Sequence, residues 1–183
     1  MILSKEQILE ELESGRLLID PFDPSLVGAA SVDLTVSRYF RRLSLHGGPI
    51  DVRQEADYRD YSELVEVAED GCIEVNPRET ILGITREQVG LPDNLCGWFE
   101  GRSRFARLGL LVHISAGFMQ PGTRNNQVLE ISNMAPRPLR LFPGTPLCQF
   151  IFQRTAGNTR HQGRYTRQTI DDFRGTSAGP AKT

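Results

Sequence analysis

Ser31-Val32-Asp33-Leu34-Thr35-Val36-Ser37-Arg38-Tyr39 decides the fold class. Val32, Leu34 and Val36 alternate with polar residues, the period of two that belongs to a half-buried β-strand and not to a helix. Working outward, strands are expected at 64–67, 72–75, 80–84, 95–99, 110–114, 127–131, 139–141 and 147–152. Gly47-Gly48-Pro49, Asn76-Pro77, Leu91-Pro92-Asp93, Pro121-Gly122 and Pro143-Gly144 supply the turns between them. On the N-terminal side Leu17-Leu18-Ile19 precedes the turn-rich Asp20-Pro21-Phe22-Asp23-Pro24. Residues 4–13 alone read as a helix of some length. Ser4 caps its first turn, Gln7 completes a capping box, and Ile8, Leu9 and Leu12 form an apolar face. Gly15 suits the left-handed residue that ends it. Many short strands with little helix indicate a sandwich, barrel or jelly roll.

Residues 54–61 are polar and read as a loop or short helix. After Arg154 the chain has little apolar content, so it is either disordered or ordered by a ligand or neighbour. The expected organisation is a β domain over residues 1–154 with its N-terminal helix, then a tail over 155–183. No internal repeat is visible.

The 183 residues suffice for one domain, and 39% hydrophobic with 24% charged residues is the composition of an ordinary globular protein. A net charge of −2 and a pI near 5.9 provide no global basic field for nucleic acid or an anionic membrane. A polyanionic ligand would have to be held by local arginines. Cys72, Cys96 and Cys148 are far apart, no C-x-x-C or H-x-E occurs, and His46, His113 and His161 stand isolated, so no zinc site is evident. Met1-Ile2-Leu3 runs directly into Ser4-Lys5-Glu6, leaving no secretory apolar region, and no run approaches a membrane span. Idle thiols in a reducing cytoplasm are the expectation.

Three stretches have the composition for chemistry. Gly101-Arg102-Ser103-Arg104-Phe105-Ala106-Arg107 sets three arginines beside a serine, either a phosphate cradle or a solvated face. Residues 112–122 look like a hairpin that bends at Pro121-Gly122. In Gln127-Val128-Leu129-Glu130-Ile131-Ser132-Asn133, Glu130 is either an exposed strand residue or shares an apolar face with Val128. In the second case burial raises a carboxyl toward the range useful for proton transfer.

These stretches, in this order, resemble the dCTP deaminase/dUTPase superfamily over nearly the whole chain. The likeness is carried by Met1-Ile2-Leu3-Ser4, Ser31-Val32-Asp33-Leu34, Gly101-Arg102-Ser103 with Ala106-Arg107-Leu108-Gly109-Leu110, Val128-Leu129-Glu130 with Ser132-Asn133, and Pro143-Gly144. The tail Gly163-Arg164-Tyr165-Thr166-Arg167-Gln168 is similar to the family's G-K-Y-Q-x-Q segment, which closes over the triphosphate. Ser115-Ala116-Gly117-Phe118 looks more like the bifunctional, dUMP-forming branch than the dUTP-forming one.

The resemblance implies a homotrimer of mainly β, distorted barrel or jelly-roll subunits with a nucleotide site at each interface. It implies that Arg102, Ser103 and Arg107 line the phosphate and water side and that Ala116, Gly117 and Phe118 meet the pyrimidine. Glu130 would be the general acid/base, with Gln120 beside the sugar and Tyr165 and Gln168 in the closing tail. Magnesium would ride on the triphosphate oxygens. Deamination without zinc then requires Glu130 to deprotonate a water held by Ser103 and the Ala116 backbone.

The chain departs from the family pattern at Gln120, where the family has aspartate, at Thr123-Arg124-Asn125-Asn126, at Arg104 and at Arg164. An amide at 120 can bond a hydroxyl but cannot act as a base, so diphosphohydrolase activity is expected to be weak. Three functions follow: zinc-independent deamination of dCTP to dUTP or dUMP, a dUTPase-like nucleotidohydrolase, or a non-catalytic nucleotide-binding regulator.

Overall fold

The computed structural model describes residues 1–113 and 115–175. Helix α1 (Lys5–Glu13) begins where the capping pattern places it, with the Ser4 amide donating to Gln7 Oε1 at 3.2 Å. Ile8 is fully buried, and Leu9 and Leu12 pack at the core margin. Gly15 follows the helix at φ 69. Glu11, also buried, receives Arg16 and Arg154 at 2.7 Å each and so ties the helix end to the last strand.

The remaining elements are β1 (Leu18–Asp20), β2 (Val32–Leu43), β3 (Ser62–Glu66), β4 (Ile73–Val75), β5 (Thr80–Gly90) and β6 (Leu95–Gly101). After these come α2 (Ser103–Ala106), β7 (Leu110–Val112), β8 (Phe118–Met119), β9 (Arg124–Asn133), β10 (Leu139–Leu141), β11 (Pro146–Arg154) and α3 (Ile170–Arg174). The main sheet runs β7-β9-β5-β2-β11-β6-β8, with β1 on β5 and β3 on β2, while β10 and β4 form a separate pair. The architecture is mainly β, as the alternation predicted. The strand expected at 110–114 ends at Val112, where His113 turns out of it at φ 54, and Ile114 lies outside the described residues.

Residues 112–122 are not a hairpin. β7 pairs with β9 and β8 pairs with β6, at opposite ends of the strand order. Val112 and Phe118 are six residues apart, a reach of about 20 Å at most. The sheet must therefore curl until its two ends are neighbours, and residues 113–117 bridge them. Local residue choice gives the bend, but only the curl of the whole sheet decides which strand each arm joins.

β2 and β5 extend well past the stretches whose alternation was legible, through irregular registers between Val36 and Phe40 and between Ile84 and Gln88. Around these irregularities both strands bury polar side chains, Thr35, Ser37, Thr85 and Glu87. Glu87 accepts from the Thr35 amide at 2.8 Å and from its hydroxyl at 2.6 Å, so both oxygens are satisfied across the two strands. The apolar core lies inside the curl, with Phe99–Phe150 and Phe150–Phe152 centroids 4.6 and 4.7 Å apart. Gly97 leaves the space that Phe150 and the Ile151 carbonyl occupy.

The described part of the tail packs back onto the β domain. Over its described part Phe173 is fully buried against Leu82 and Ile84, and buried Arg41 donates to the Phe173 and Gly175 carbonyls at 2.7 and 2.6 Å. One aromatic anchor in a polar segment was too sparse to register as core in the sequence. Among the described residues no helix is long and apolar enough to cross a membrane.

Candidate active site

β9 has two unlike faces because successive side chains alternate. Leu129 and Ile131 point into the core at 0% exposure, whereas Val128 and Glu130 face a cavity of about 320 Å³. Leu82, His113, Ala116, Gln127 and Tyr165 complete much of its wall. Glu130 thus does share a face with Val128, and that face is the floor of a half-open cavity.

His113, passed over as isolated in the sequence, is the partner of Glu130. Its amide donates to the Glu130 carbonyl at 2.7 Å, and its Nδ1 lies 2.9 Å from Glu130 Oε2. The side-chain contact is short but bent: both atoms are sealed from solvent, and neither makes an aligned hydrogen bond elsewhere. On the far side of the ring His113 Nε2 is 3.4 Å from Gln127 Nε2, and the ring packs edge-on to core residue Phe99 with centroids 5.3 Å apart. His113 has φ 54, a left-handed conformation that turns the chain out of β7 and swings the imidazole back over β9. No sequence spacing announces this pair, since His113 and Glu130 meet only through the β7–β9 register.

Two further cavities adjoin the first, and Tyr165 lines all three. One, about 180 Å³, is bordered by Gln120, Thr123, Asn125 and Gln127, with His161 and Arg164 also on its wall. The other, about 230 Å³, is bordered by Arg59, Arg164 and Arg167. Around one tyrosine the surface passes from apolar side chains and amides with Glu130, to amides and hydroxyls beside His161 and Arg164, to three guanidiniums with Asp172 among them.

The tail forms part of each wall by adding itself to β9. Arg124 and Asn126 donate their amides to the Thr166 and Gln168 carbonyls, each at 2.9 Å, and the Asn125 side-chain amide donates to the Tyr165 carbonyl at 2.9 Å. Gln168 is buried there, its side chain returning to the Asn126 carbonyl at 3.4 Å. Asp57 fastens the other side. It accepts from the Arg59 amide at 3.0 Å and from the Arg59 guanidinium at 2.9 and 2.7 Å, while Arg164 reaches it at 2.6 Å. The hydrogen bonds from Arg59 foremost, against the opposing effect of burial, hold the Asp57 carboxyl down at about 2. Burial pushes neighbouring Tyr58 up to about 12, so the phenol stays neutral. This clasp lies in the stretch 54–61, whose dense charge and two tyrosines were the only signal available beforehand.

The other predicted residues divide into two groups. Ala116 stands beside Glu130, and Gly117 holds the segment down by accepting from the Phe99 amide at 2.9 Å. Phe118 and Gln120 border the amide-lined cavity. Arg102, Ser103 and Arg107 border none of the three. Arg102 is committed to Asp33 at 2.9 Å and to the Pro146 carbonyl at 3.0 Å, and Ser103 at the start of α2 and Arg107 just past its end are exposed. One chain does not bring Ser103 or Arg107 to Glu130. Among the described residues no group of three or more His, Cys, Asp or Glu side chains is placed to hold a metal ion.

The chain matches the family model described as dCTP deaminase-like over residues 2–155. It is 41% identical over 162 residues to a protein of Kocuria rhizophila named dCTP deaminase, dUMP-forming, covering 88% of this chain and 83% of that one. It is 38% identical over 175 residues to a protein of the same name from Streptomyces griseus, covering 92% and 91%. The crystal structure of 2'-deoxycytidine 5'-triphosphate deaminase from Agrobacterium tumefaciens superposes with a TM-score of 0.65 at 20% identity. That match covers 84% of this chain but only 48% of the solved one, so the present chain spans about half of its length, and what the two share is the fold. The chain belongs to the dCTP deaminase-like family.

Proposed function

We propose that the chain hydrolyses dCTP to dUTP and ammonia, with Glu130 as the general acid/base in place of a protein-bound zinc. The observation that carries the reading is the single carboxylate on the cavity floor, backed by His113 and overhung by Tyr165. The gradation around Tyr165 supports a nucleotide laid with its pyrimidine against Ala116 and Glu130, its sugar by Gln120 and Thr123, and its phosphates among the arginines.

Oε2 of Glu130 is turned to His113, which leaves Oε1 for the substrate side. There it removes a proton from water as the oxygen adds to C4, and delivers that proton to N3. It next carries the new hydroxyl's proton to the amino group, which leaves as ammonia while C4=O forms. General acid–base help of this kind is worth roughly 10² to 10⁴ in rate, and positioning and fixed dipoles supply the rest. Ser103 and Arg107 join the site from a neighbouring subunit of a homotrimer, a reading supported by their exposure at either end of α2. Magnesium arrives on the triphosphate. The three free thiols suit a cytoplasmic setting.

The relatives' names favour a second reading, in which dUTP goes on to dUMP and pyrophosphate. Gln120 borders the sugar-side cavity, and an amide there cannot serve as base for that step. One experiment tests both: dCTP with magnesium, assayed for ammonia and pyrophosphate, on wild type and Glu130→Gln. Ammonia release should fall by at least about 10² in the variant with nucleotide binding retained. Equal rates would remove Glu130 from the chemistry, and brisk pyrophosphate release by wild type would favour the second reading.

A further inference from the structure

We propose that His113 and Gln127 are positioning residues that together fix the orientation of Glu130. Two buried atoms, His113 Nδ1 and Glu130 Oε2, sit 2.9 Å apart with no other partner. An unprotonated ring nitrogen and a carboxylate oxygen both offer only lone pairs and leave each other unpartnered, whereas a proton on Nδ1 gives each a partner after a small realignment. With the proton on Nδ1, the neutral imidazole presents a lone pair at Nε2. The Gln127 amide nitrogen, 3.4 Å away, is a donor to that lone pair. With Glu130 ionised this assignment of protons partners all three groups, whereas the opposite tautomer needs the Gln127 amide turned over and Glu130 protonated.

The backbone reinforces the arrangement. His113 is anchored by its own amide to the Glu130 carbonyl, its ring is confined edge-on to Phe99, and its side chain is 2% exposed. His113 holds one oxygen of Glu130 against the wall and leaves the other aimed into the cavity. Gln127 acts one step further out, by selecting the tautomer.

The test has a kinetic and a spectroscopic arm, and only the kinetic arm rests on the deaminase reading. Asparagine tolerates the left-handed backbone at 113 and keeps a donor near the Nδ1 position, whereas leucine fills the space without one. For dCTP with magnesium, His113→Leu should lower kcat by roughly 100-fold with KM within about threefold. His113→Asn should recover to within about tenfold of wild type, and Gln127→Leu should lose about tenfold. Equal loss in the Asn and Leu variants, or a change confined to KM, overturns the proposal. Should His113→Leu fail to fold, His113→Asn and Gln127→Leu decide it.

The second arm records imidazole nitrogen resonances of the nucleotide-free protein, which has only three histidines. His113 should report a proton on Nδ1, and Gln127→Leu should weaken that preference. A proton found on Nε2 alone refutes the inference. If wild type releases no ammonia from dCTP, the deaminase reading falls while this arm still decides the His113–Glu130 contact.

Discussion

Replacing Asp57 by asparagine should loosen the tail from β9 without unfolding the domain. The carboxylate is 3% exposed and takes four donors from Arg59 and Arg164. Its pKa is lowered from 3.8 to about 2, mainly by hydrogen bonds from Arg59. That drop is worth about 2 kcal/mol of stability. Because the folded pKa is the lower one, the contribution is complete above pH 3.8 and is lost as pH falls toward 2. Asparagine removes the charge at every pH and leaves two guanidiniums without their counter-ion. Arg164 is 45% exposed, and water will recover part of the loss there.

The cost should fall on local opening of the tail. The amides of Arg124 and Asn126 are protected by the Thr166 and Gln168 carbonyls, so their hydrogen exchange reports tail docking directly. Exchange at those two amides should speed up by roughly thirtyfold at neutral pH, the equivalent of about 2 kcal/mol. Amides in the β2–β5 ladder serve as the unchanged control. If Arg124 and Asn126 exchange within threefold of wild type, Asp57 does not hold the tail and its low pKa has another meaning.

Other perturbations have equally definite outcomes. Gly97→Ala drives a methyl group into the Ile151 carbonyl and the Phe150 ring, which Phe99 and Phe152 prevent from retreating, and should cost about 3 kcal/mol or more by chemical denaturation. A cost under about 1 kcal/mol would mean that the β6–β11 contact is looser than described. Burial raises the Glu87 carboxyl, so the folded state favours its protonated form. The penalty is absent below the ordinary carboxyl range and grows as pH rises through the raised value. Glu87→Gln should therefore be neutral or stabilising at pH 8, with less advantage at pH 5. A lower melting temperature for the variant at pH 8 would show that the Thr35 hydrogen bonds outweigh desolvation. Mixing Glu130→Gln with Arg107→Ala subunits should restore part of the ammonia release that each lacks alone, if the two residues act across an interface, and sedimentation should give about three times 20.5 kDa. No recovery in mixed assemblies would place both residues in separate roles.

Much was legible before any coordinates, because some of the controlling physics is local. Alternation at Val32, Leu34 and Val36 marks a strand with one buried face, and Ser4 with Gln7 marks a helix start, since each device satisfies groups within a few residues. Glu130 on the same face as Val128 follows from pleating alone. Beyond Val36 and Ile84 the alternation fails at the irregular registers, and only pairing with neighbouring strands keeps β2 and β5 extended. The tail's contacts were illegible for a related reason: they run to β9 amides, Asp57 and Arg41, none of them near it in sequence.

From residues alone came a β-rich chain carrying the motifs of one family. The tertiary structure decided which of them meet. His113 reaches Glu130 because β7 and β9 pair, and residues 112–122 split between the two ends of a curled sheet because that curl brings the ends together. Pairings of this kind depend on the closure of the whole sheet, a property no window of sequence contains.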